Sequence, residues 1–234
     1  MLAAVLALAP AIAIAAPPDE PAPWLIEEFF LARNVHPQDK GEVQVTWSLQ
    51  HASEEDTSHT DMAVEAEFGI TDRLQIQAEL PWQRVHPRAG DAVAGFENLE
   101  AGAQYAFARG PRQMLTVGAD VELPTSGDSD AEAEVEPYVI VGHSLGRGEA
   151  HASFSYGLGE GHDVAWDVAG VAPYHKWRGT LELNGRRSER LTSLRITPGV
   201  MWKGLRGYEI GVAMPVGVHN APVAGIAVTI DAEF

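Results

Sequence analysis

Residues 62–82 read MAVEAEFGITDRLQIQAELPW and show most clearly the pattern that recurs along the chain. Apolar side chains occupy every second position on both sides of a central Thr-Asp-Arg turn, and mostly polar side chains occupy the positions between them. The apolar positions are Met62, Val64, Ala66, Phe68 and Ile70, then Leu74, Ile76, Ala78, Leu80 and Trp82. A period of two is the pattern of a strand with one apolar and one polar face. The stretch therefore predicts a β-hairpin.

The same alternation recurs from residue 41 to the end of the chain and predicts twelve strands. Short turns, such as residues 109–112 and 146–148, alternate with longer or more acidic connections, such as residues 53–60, 84–96 and 187–192. Outer-membrane barrels have an even number of antiparallel strands, tight periplasmic turns and longer outer loops. The predicted fold class is therefore all-β, a transmembrane antiparallel β-barrel.

A β-sandwich also produces alternating strands, and two features favour the barrel over it. Aromatic residues on the apolar face collect beside the short turns, as an interfacial girdle requires. They are Phe68, Tyr105, Phe107, Trp177, Trp202, Tyr208 and Phe234. The last strand also ends on an aromatic residue, Phe234, which resembles the C-terminal signal that the outer-membrane assembly machinery recognises.

The N-terminal residues predict export. Leu2 to Ala15 are almost all Ala, Leu, Ile and Val, and a small-x-small step precedes Pro17. This is the pattern of a signal peptide and its cleavage site, although no basic residue comes first. The alternative is a buried helix that the following prolines end. We divide the chain into a signal peptide (residues 1–16), a Pro-rich periplasmic segment or plug (residues 17–40) and an outer-membrane barrel (residues 41–234).

The composition excludes several classes of function. The formal charge is −17, from 16 Lys and Arg against 33 Asp and Glu. So acidic a chain repels phosphate backbones, and we expect no nucleic-acid partner. The chain has no cysteine, which excludes disulfides, thiolate metal sites and a Cys nucleophile. No apolar run after the N-terminus reaches the ~18 residues of a membrane-spanning helix, which argues against a helical transporter. We expect no cofactor.

Three short motifs resemble a known family. Residues 69–82, GITDRLQIQAELPW, resemble a G-x-T-D-R hairpin of the outer-membrane proteins grouped with the meta-pathway phenol-degradation proteins. VELPTSG at residues 121–127 resembles the end of one of that family's strands, and Lys40-Gly41 resembles the start of its first strand. The resemblance covers about residues 35–234. It implies a barrel through which small molecules pass, and it names no substrate.

One motif suggests a serine esterase or lipase. GHSLG at residues 142–146 matches the G-x-S-x-G nucleophile elbow, with Ser144 as the nucleophile. His175 or His219, with Asp163 or Asp167, follow in the Ser, Asp, His order of α/β-hydrolases. An elbow leads into a helix, however, whereas the residues after this motif alternate like a strand. We therefore predict that the protein is not an enzyme and that Ser144 lies in a periplasmic turn.

An outer-membrane phospholipase is a second enzymatic alternative, because such barrels place a His and a Ser on the lipid-facing wall. The nearest pairing of that kind is His151 with Ser153 or Ser155. Alternation points these side chains into the lumen, which argues against a phospholipase.

The polar face of the predicted strands is mainly acidic and would line the lumen. We predict a solute pathway formed by Glu65, Glu67, Glu79, Asp120, Glu122, Arg178 and Arg195. A wall of carboxylates concentrates cations, so the pattern predicts a channel for small solutes that favours cations. The alternative is a structural barrel whose hydrogen-bonded interior does not conduct. The expected partners are outer-membrane lipids, the assembly machinery and small cationic or aromatic solutes.

The first long connection combines imidazole and carboxylate groups, which suit divalent metals. The residues that crowd this region are His51, Glu54, Glu55, Asp56, His59 and Asp61. No helical spacing orients them toward one point. We therefore predict a solvated acidic loop and no metal site.

Overall fold

The computed structural model describes residues 25–26, 28–54, 56–125, 133–159, 163–188 and 191–234. Its strands all belong to one antiparallel sheet. They are β1 (Val43–Ser53), β2 (Thr57–Thr71), β3 (Leu74–Pro87), β4 (Val93–Phe96), β5 (Leu99–Arg109), β6 (Gln113–Leu123), β7 (Glu134–Ser144), β8 (Glu149–Tyr156), β9 (Val164–Tyr174), β10 (Trp177–Ser188), β11 (Leu191–Leu205), β12 (Tyr208–Ala213), β13 (Val216–His219) and β14 (Ala224–Glu233). The described residues contain no helix long and apolar enough to cross a bilayer.

These strands form a closed ring of twelve, because two pairs of consecutive strands each occupy one place in it. β4 and β5 both pair with β3, and β12 and β13 both lie between β11 and β14. β1 pairs with β14 and closes the ring, with Trp47 opposite Ile230. The predicted twelve-stranded antiparallel barrel is confirmed.

Several strands continue further than the alternation predicts. β1 and β2 extend into the predicted loop at residues 53–60, and β3 and β4 occupy much of the predicted loop at residues 84–96. β10 and β11 likewise extend into the predicted loop at residues 187–192. Beyond the membrane both faces of a strand can meet water, so the backbone pairing continues while the alternation of side chains fades. These loop boundaries were therefore wrong.

The outer face of the barrel is apolar. Val64, Phe68, Ile76 and Leu80 of the first hairpin are each between 42% and 47% exposed. Exposed aromatic residues gather at the end of the short turns, and the rings of Trp177 and Trp202 lie 6.5 Å apart there. An apolar band with an aromatic rim is the surface that a lipid-embedded barrel presents.

The buried apolar residues lie inside the ring. Residues 25–26 and 28–38, here called the internal segment, have no regular secondary structure and pack against the inner wall. Ile26, Phe29 and Phe30 contact one apolar cluster of the wall, and Val35 contacts another. The internal segment belongs to the region predicted as a periplasmic segment or plug. Residues 1–24, including the predicted signal peptide, lie outside the described residues.

Candidate solute pathway

Five glutamates form a row across five neighbouring strands. The register places Glu65 on β2 opposite Glu79 on β3, then Glu79 opposite Glu100, Glu100 opposite Glu122, and Glu122 opposite Glu134. Residues directly opposite in antiparallel strands share one face of the sheet, with Cβ atoms about 4.5–5.5 Å apart. Like charges at this spacing repel one another. This glutamate row therefore concentrates negative potential on one side of the lumen.

A second acidic row lies two residues closer to the short turns. It contains Glu67 on β2, Asp120 on β6 and Glu136 on β7, and Asp120 stands opposite Glu136. Amide side chains on β3 donate hydrogen bonds to this row: Gln75 to Glu67, and Gln77 to Asp120 at 3.0 Å. The second row is thus part of a side-chain network.

Glu182 on β10 anchors the internal segment. Its carboxylate accepts hydrogen bonds from the backbone N–H groups of Phe30, Leu31 and Ala32 at 3.0, 2.9 and 2.8 Å. Glu182 itself is fully buried. A buried carboxylate is costly unless several donors converge on it, and an irregular buried backbone needs acceptors that no ladder supplies. The Glu182 carboxylate and the three N–H groups therefore satisfy each other's hydrogen-bonding requirements.

Arg33 joins the internal segment to the acidic wall. Its Nη1 atom lies 2.6 Å from Oδ2 of Asp120, and its Nη2 atom lies 2.8 Å from Oε1 of Glu136. The guanidinium carbon is 4.1 Å from the centre of the Tyr138 ring. Charge-assisted hydrogen bonds and a cation–π contact act together here. They hold the middle of the internal segment against β6 and β7.

Both ends of the internal segment lie at the end of the barrel with the short turns. The backbone N–H of Gln38 donates to the side chain of Gln75 at 2.8 Å, and Arg178 donates to the carbonyl of Leu25 at 3.1 Å. Gln75 is near the start of β3 and Arg178 near the start of β10, each beside a short turn. The segment therefore enters and leaves the lumen at one end and occupies part of that half.

Two adjoining cavities lie in the lumen beside the internal segment. One has a volume of about 440 Å³ and the other about 490 Å³. Leu31 and Ala32 line both cavities, so the internal segment forms part of their floor. Glu65, Glu79 and Glu100 also line both. Three members of the glutamate row thus face the space that a solute would occupy.

The wall across the lumen from the glutamate row carries two arginines. Arg186 on β10 and Arg195 on β11 line the first cavity. Arg186 also contacts Asp163 at the outer rim, with 2.8 Å between Nη2 and Oδ2. Burial acts to raise the pKa of Asp163, but hydrogen bonds from Ser188 and Arg186 outweigh it and lower the pKa below its ordinary value. The rim is therefore charged and paired on this side.

On the acidic side of the barrel, the outer rim brings carboxylates close to one another. Partial burial raises the pKa of Glu97, which lies between β4 and β5, and the nearby Asp61 and Glu122 raise it further. Carboxylates crowded in this way hold protons or attract cations.

The structure places the predicted pathway residues in different surroundings. Five of them line the first cavity: Glu65, Glu67, Glu79, Asp120 and Arg195. Glu122 belongs to the glutamate row and accepts a hydrogen bond from Asn98 at 2.7 Å. Arg178 lies against the internal segment beside a short turn. Phe234, the predicted assembly signal, directly follows β14 and is 74% exposed.

Sequence reasoning missed the residues that hold the internal segment. Alternation places Glu182 on the inner face but says nothing about the three N–H groups that it accepts. Arg33 lies in a stretch without periodicity, and no motif connects it to residues about 90 positions later. Only a charged residue among the apolar side chains of the segment could have suggested such a contact.

The GHSLG motif lies between two antiparallel strands. Ser144 ends β7, is buried, and stands opposite Glu149 on β8. A nucleophile elbow needs a helix after its turn, and a strand follows here, as predicted. His151 and Ser153 are buried on the inner face rather than on the lipid-facing wall that a barrel phospholipase uses.

The histidines of the first connection lie on strands rather than in a loop. His51 belongs to β1, and its Nδ1 atom is 2.9 Å from Oγ1 of Thr60 on β2. Among the residues that the structure describes, no three His, Asp or Glu side chains are grouped to hold a metal ion.

The closed ring, the apolar outer surface and the polar lumen give this protein the fold of outer-membrane β-barrels. Solved structures with this fold include an outer-membrane channel from Pseudomonas putida F1, with a TM-score of 0.71 and 11% identity over 86% of this chain and 98% of that one. The KdgM porin has a TM-score of 0.60 and 9% identity over 81% and 99% of the two chains. The CymD monoaromatic hydrocarbon channel has a TM-score of 0.53 and 6% identity over 84% and 88%.

No family model and no curated protein matches the sequence. At these identities the likeness shows the fold. By that fold, the protein belongs to the outer membrane of a Gram-negative cell.

Proposed function

We propose that the protein is an outer-membrane channel for small solutes, that it favours cations, and that the internal segment restricts its lumen. The observation that carries the proposal is the glutamate row beside the two cavities. Three of its carboxylates face the cavities, and the register places their neighbours at the same level of the wall.

Charge and shape together support this proposal. Rings of acidic side chains are used by cation-selective pores, because a low-dielectric wall focuses their potential into the lumen. Arg186 is paired with Asp163, which leaves less positive charge to oppose the row. The internal segment occupies part of the lumen beside the short turns, so it narrows the path of a solute from the cavities toward that end.

The test is ion selectivity in a planar bilayer. The variant Glu65→Gln, Glu79→Gln, Glu100→Gln, Glu122→Gln removes four charges of the glutamate row and keeps the side-chain volumes. Its reversal potential under a salt gradient should move toward anion preference. A matched control removes four exposed carboxylates, Asp39, Asp56, Asp72 and Asp91, by change to Asn. A shift of equal size in the control would contradict a specific role for the row.

The second cavity favours aromatic solutes as a further candidate class. It is lined in part by the aromatic side chains of Phe29 and Phe30 on the internal segment. The resemblance of residues 69–82 to the meta-pathway family supports the same class, and one structural neighbour is a monoaromatic hydrocarbon channel. Phenol should then reduce the cation current more than cyclohexanol at equal concentration. Equal block by the two alcohols would argue against aromatic recognition.

A further inference from the structure

Asp120, Glu136 and Tyr138 form a site for a planar cation on the inner wall, and Arg33 occupies it. Each carboxylate contacts a different guanidinium nitrogen, at 2.6 and 2.8 Å, and the aromatic ring supplies a third side. Guanidinium is planar, and its N–H groups point in fixed, diverging directions. Two separate carboxylates therefore suit a guanidinium group better than a compact ammonium group. The geometry of the wall is thus specific for the shape of the cation as well as for its charge.

The neighbouring strands leave space for this site. Gly102 stands opposite Asp120, and Gly118 stands opposite Tyr138. A β-carbon at Gly102 would collide with the Asp120 carboxylate, and one at Gly118 would collide with the Tyr138 ring. An aromatic ring over a glycine on the next strand stabilises a sheet, and here it also presents a ring face to the guanidinium. The two glycines therefore leave room on the wall for the Asp120 carboxylate and the Tyr138 ring.

The site is open to the first cavity. Asp120, Glu136, Tyr138 and Arg33 all line that cavity. The side chains of Arg33 and Glu136 are 29% and 30% exposed, whereas that of Asp120 is 10% exposed. A solute in the cavity can therefore approach the guanidinium from its exposed side without passing the internal segment.

We propose that this site recognises solutes that carry a guanidinium group, and that Arg33 is its internal occupant, which such a solute displaces. The inference rests on the proposed function, because it names the solute class that the acidic lumen takes. A group tethered beside its site competes at a high effective concentration. Displacing Arg33 releases the middle of the internal segment, while Glu182 still holds the residues just before it.

Calorimetric titration of the refolded full chain with ethylguanidinium tests this inference. Arg33→Ala should bind ethylguanidinium at least about tenfold more tightly than the wild type, because the tethered competitor is gone. Arg186→Ala loses the same charge from the same cavity but does not contact Asp120, Glu136 or Tyr138, so it should gain much less affinity than Arg33→Ala. Ethylammonium should bind Arg33→Ala more weakly than ethylguanidinium does.

Two further variants keep the test decisive. Adding Asp120→Asn and Glu136→Gln to Arg33→Ala should abolish the gain. Three results would overturn the inference. They are ethylguanidinium binding in the triple variant as tight as in Arg33→Ala, no gain in affinity in Arg33→Ala over the wild type, and equal affinity of Arg33→Ala for ethylguanidinium and ethylammonium. If Arg33→Ala does not refold, Arg33→Lys serves instead, since it keeps the charge and loses the planar fork. Binding in detergent does not require conduction, so a chain that binds but does not conduct contradicts only the proposed function.

Discussion

Glu182 accepts three hydrogen bonds from consecutive N–H groups of the internal segment, and no strand ladder could supply them to so irregular a backbone. Phe30 occupies the adjoining space, next to Gly199 and Gly211 on the wall. Glu182 thus accepts the hydrogen bonds of the segment's backbone, and the two glycines leave room for its aromatic side chain. The position of the internal segment depends on both.

Glu182→Ala should loosen the internal segment. It leaves three buried N–H groups without an acceptor, at a cost of roughly 1–3 kcal/mol for each group that water does not reach. Hydrogen–deuterium exchange at residues 30–32 should become faster. Glu122→Ala removes another inward carboxylate, one that bonds to Asn98 and not to the segment, and should leave this exchange unchanged. Equal protection in Glu182→Ala and the wild type would contradict the anchoring role.

The double change Gly199→Ala, Gly211→Ala should displace the Phe30 ring from the inner wall. A β-carbon at Gly199 would lie 2.5 Å from the Phe30 ring, and one at Gly211 would lie 2.6 Å from it. We expect faster proteolysis within residues 28–38 and a higher single-channel conductance. Gly170→Ala is the matched control, because its β-carbon would meet only a backbone oxygen at 3.8 Å. Normal protection of the segment in the double variant would count against this packing.

At the scale of elements, the strands follow from alternation and the internal segment does not. Residues 62–82 predict β2, the turn and β3, because lipid on one face and polar lumen on the other enforce a period of two. β4 escapes that reasoning, since Val93–Phe96 is exposed at every position and has no face to conceal. Residues 28–38 are fixed by contacts with distant strands, for which the local sequence has no signal. Parity predicts an acidic inner face, whereas no local signal in the sequence predicts the contact of Asp120 with Arg33.

Phe234 belongs to the element that closes the barrel. Its backbone exchanges two hydrogen bonds with Val43 at the start of β1, at 2.9 and 3.2 Å. Deleting Phe234 should reduce the amount of protein in the outer membrane, both through loss of these bonds and through loss of the terminal aromatic group. Phe234→Ala keeps the backbone pairing and separates the two causes, and Phe234→Tyr should restore the level. Membrane levels unaffected by the deletion would remove the assembly role.

In the molecule as a whole, the excess acidic charge is distributed unevenly. The net charge of −17 could have been spread over the outer loops, but the register gathers five glutamates on one wall of the lumen. The basic groups near the cavities, Arg33, Arg186 and Arg195, are fewer, and two of them are paired. The part of the lumen beside the glutamate row should therefore be a region of negative potential.

The most direct measurement is the reversal potential of the wild-type protein in a planar bilayer under a potassium chloride gradient. We predict cation preference at low salt, and a weaker preference near 1 M salt, where the Debye length is about 3 Å and wall charges are screened from a passing ion. Anion preference at low salt, selectivity that does not change with salt, or the absence of any conductance would contradict a cation-favouring channel.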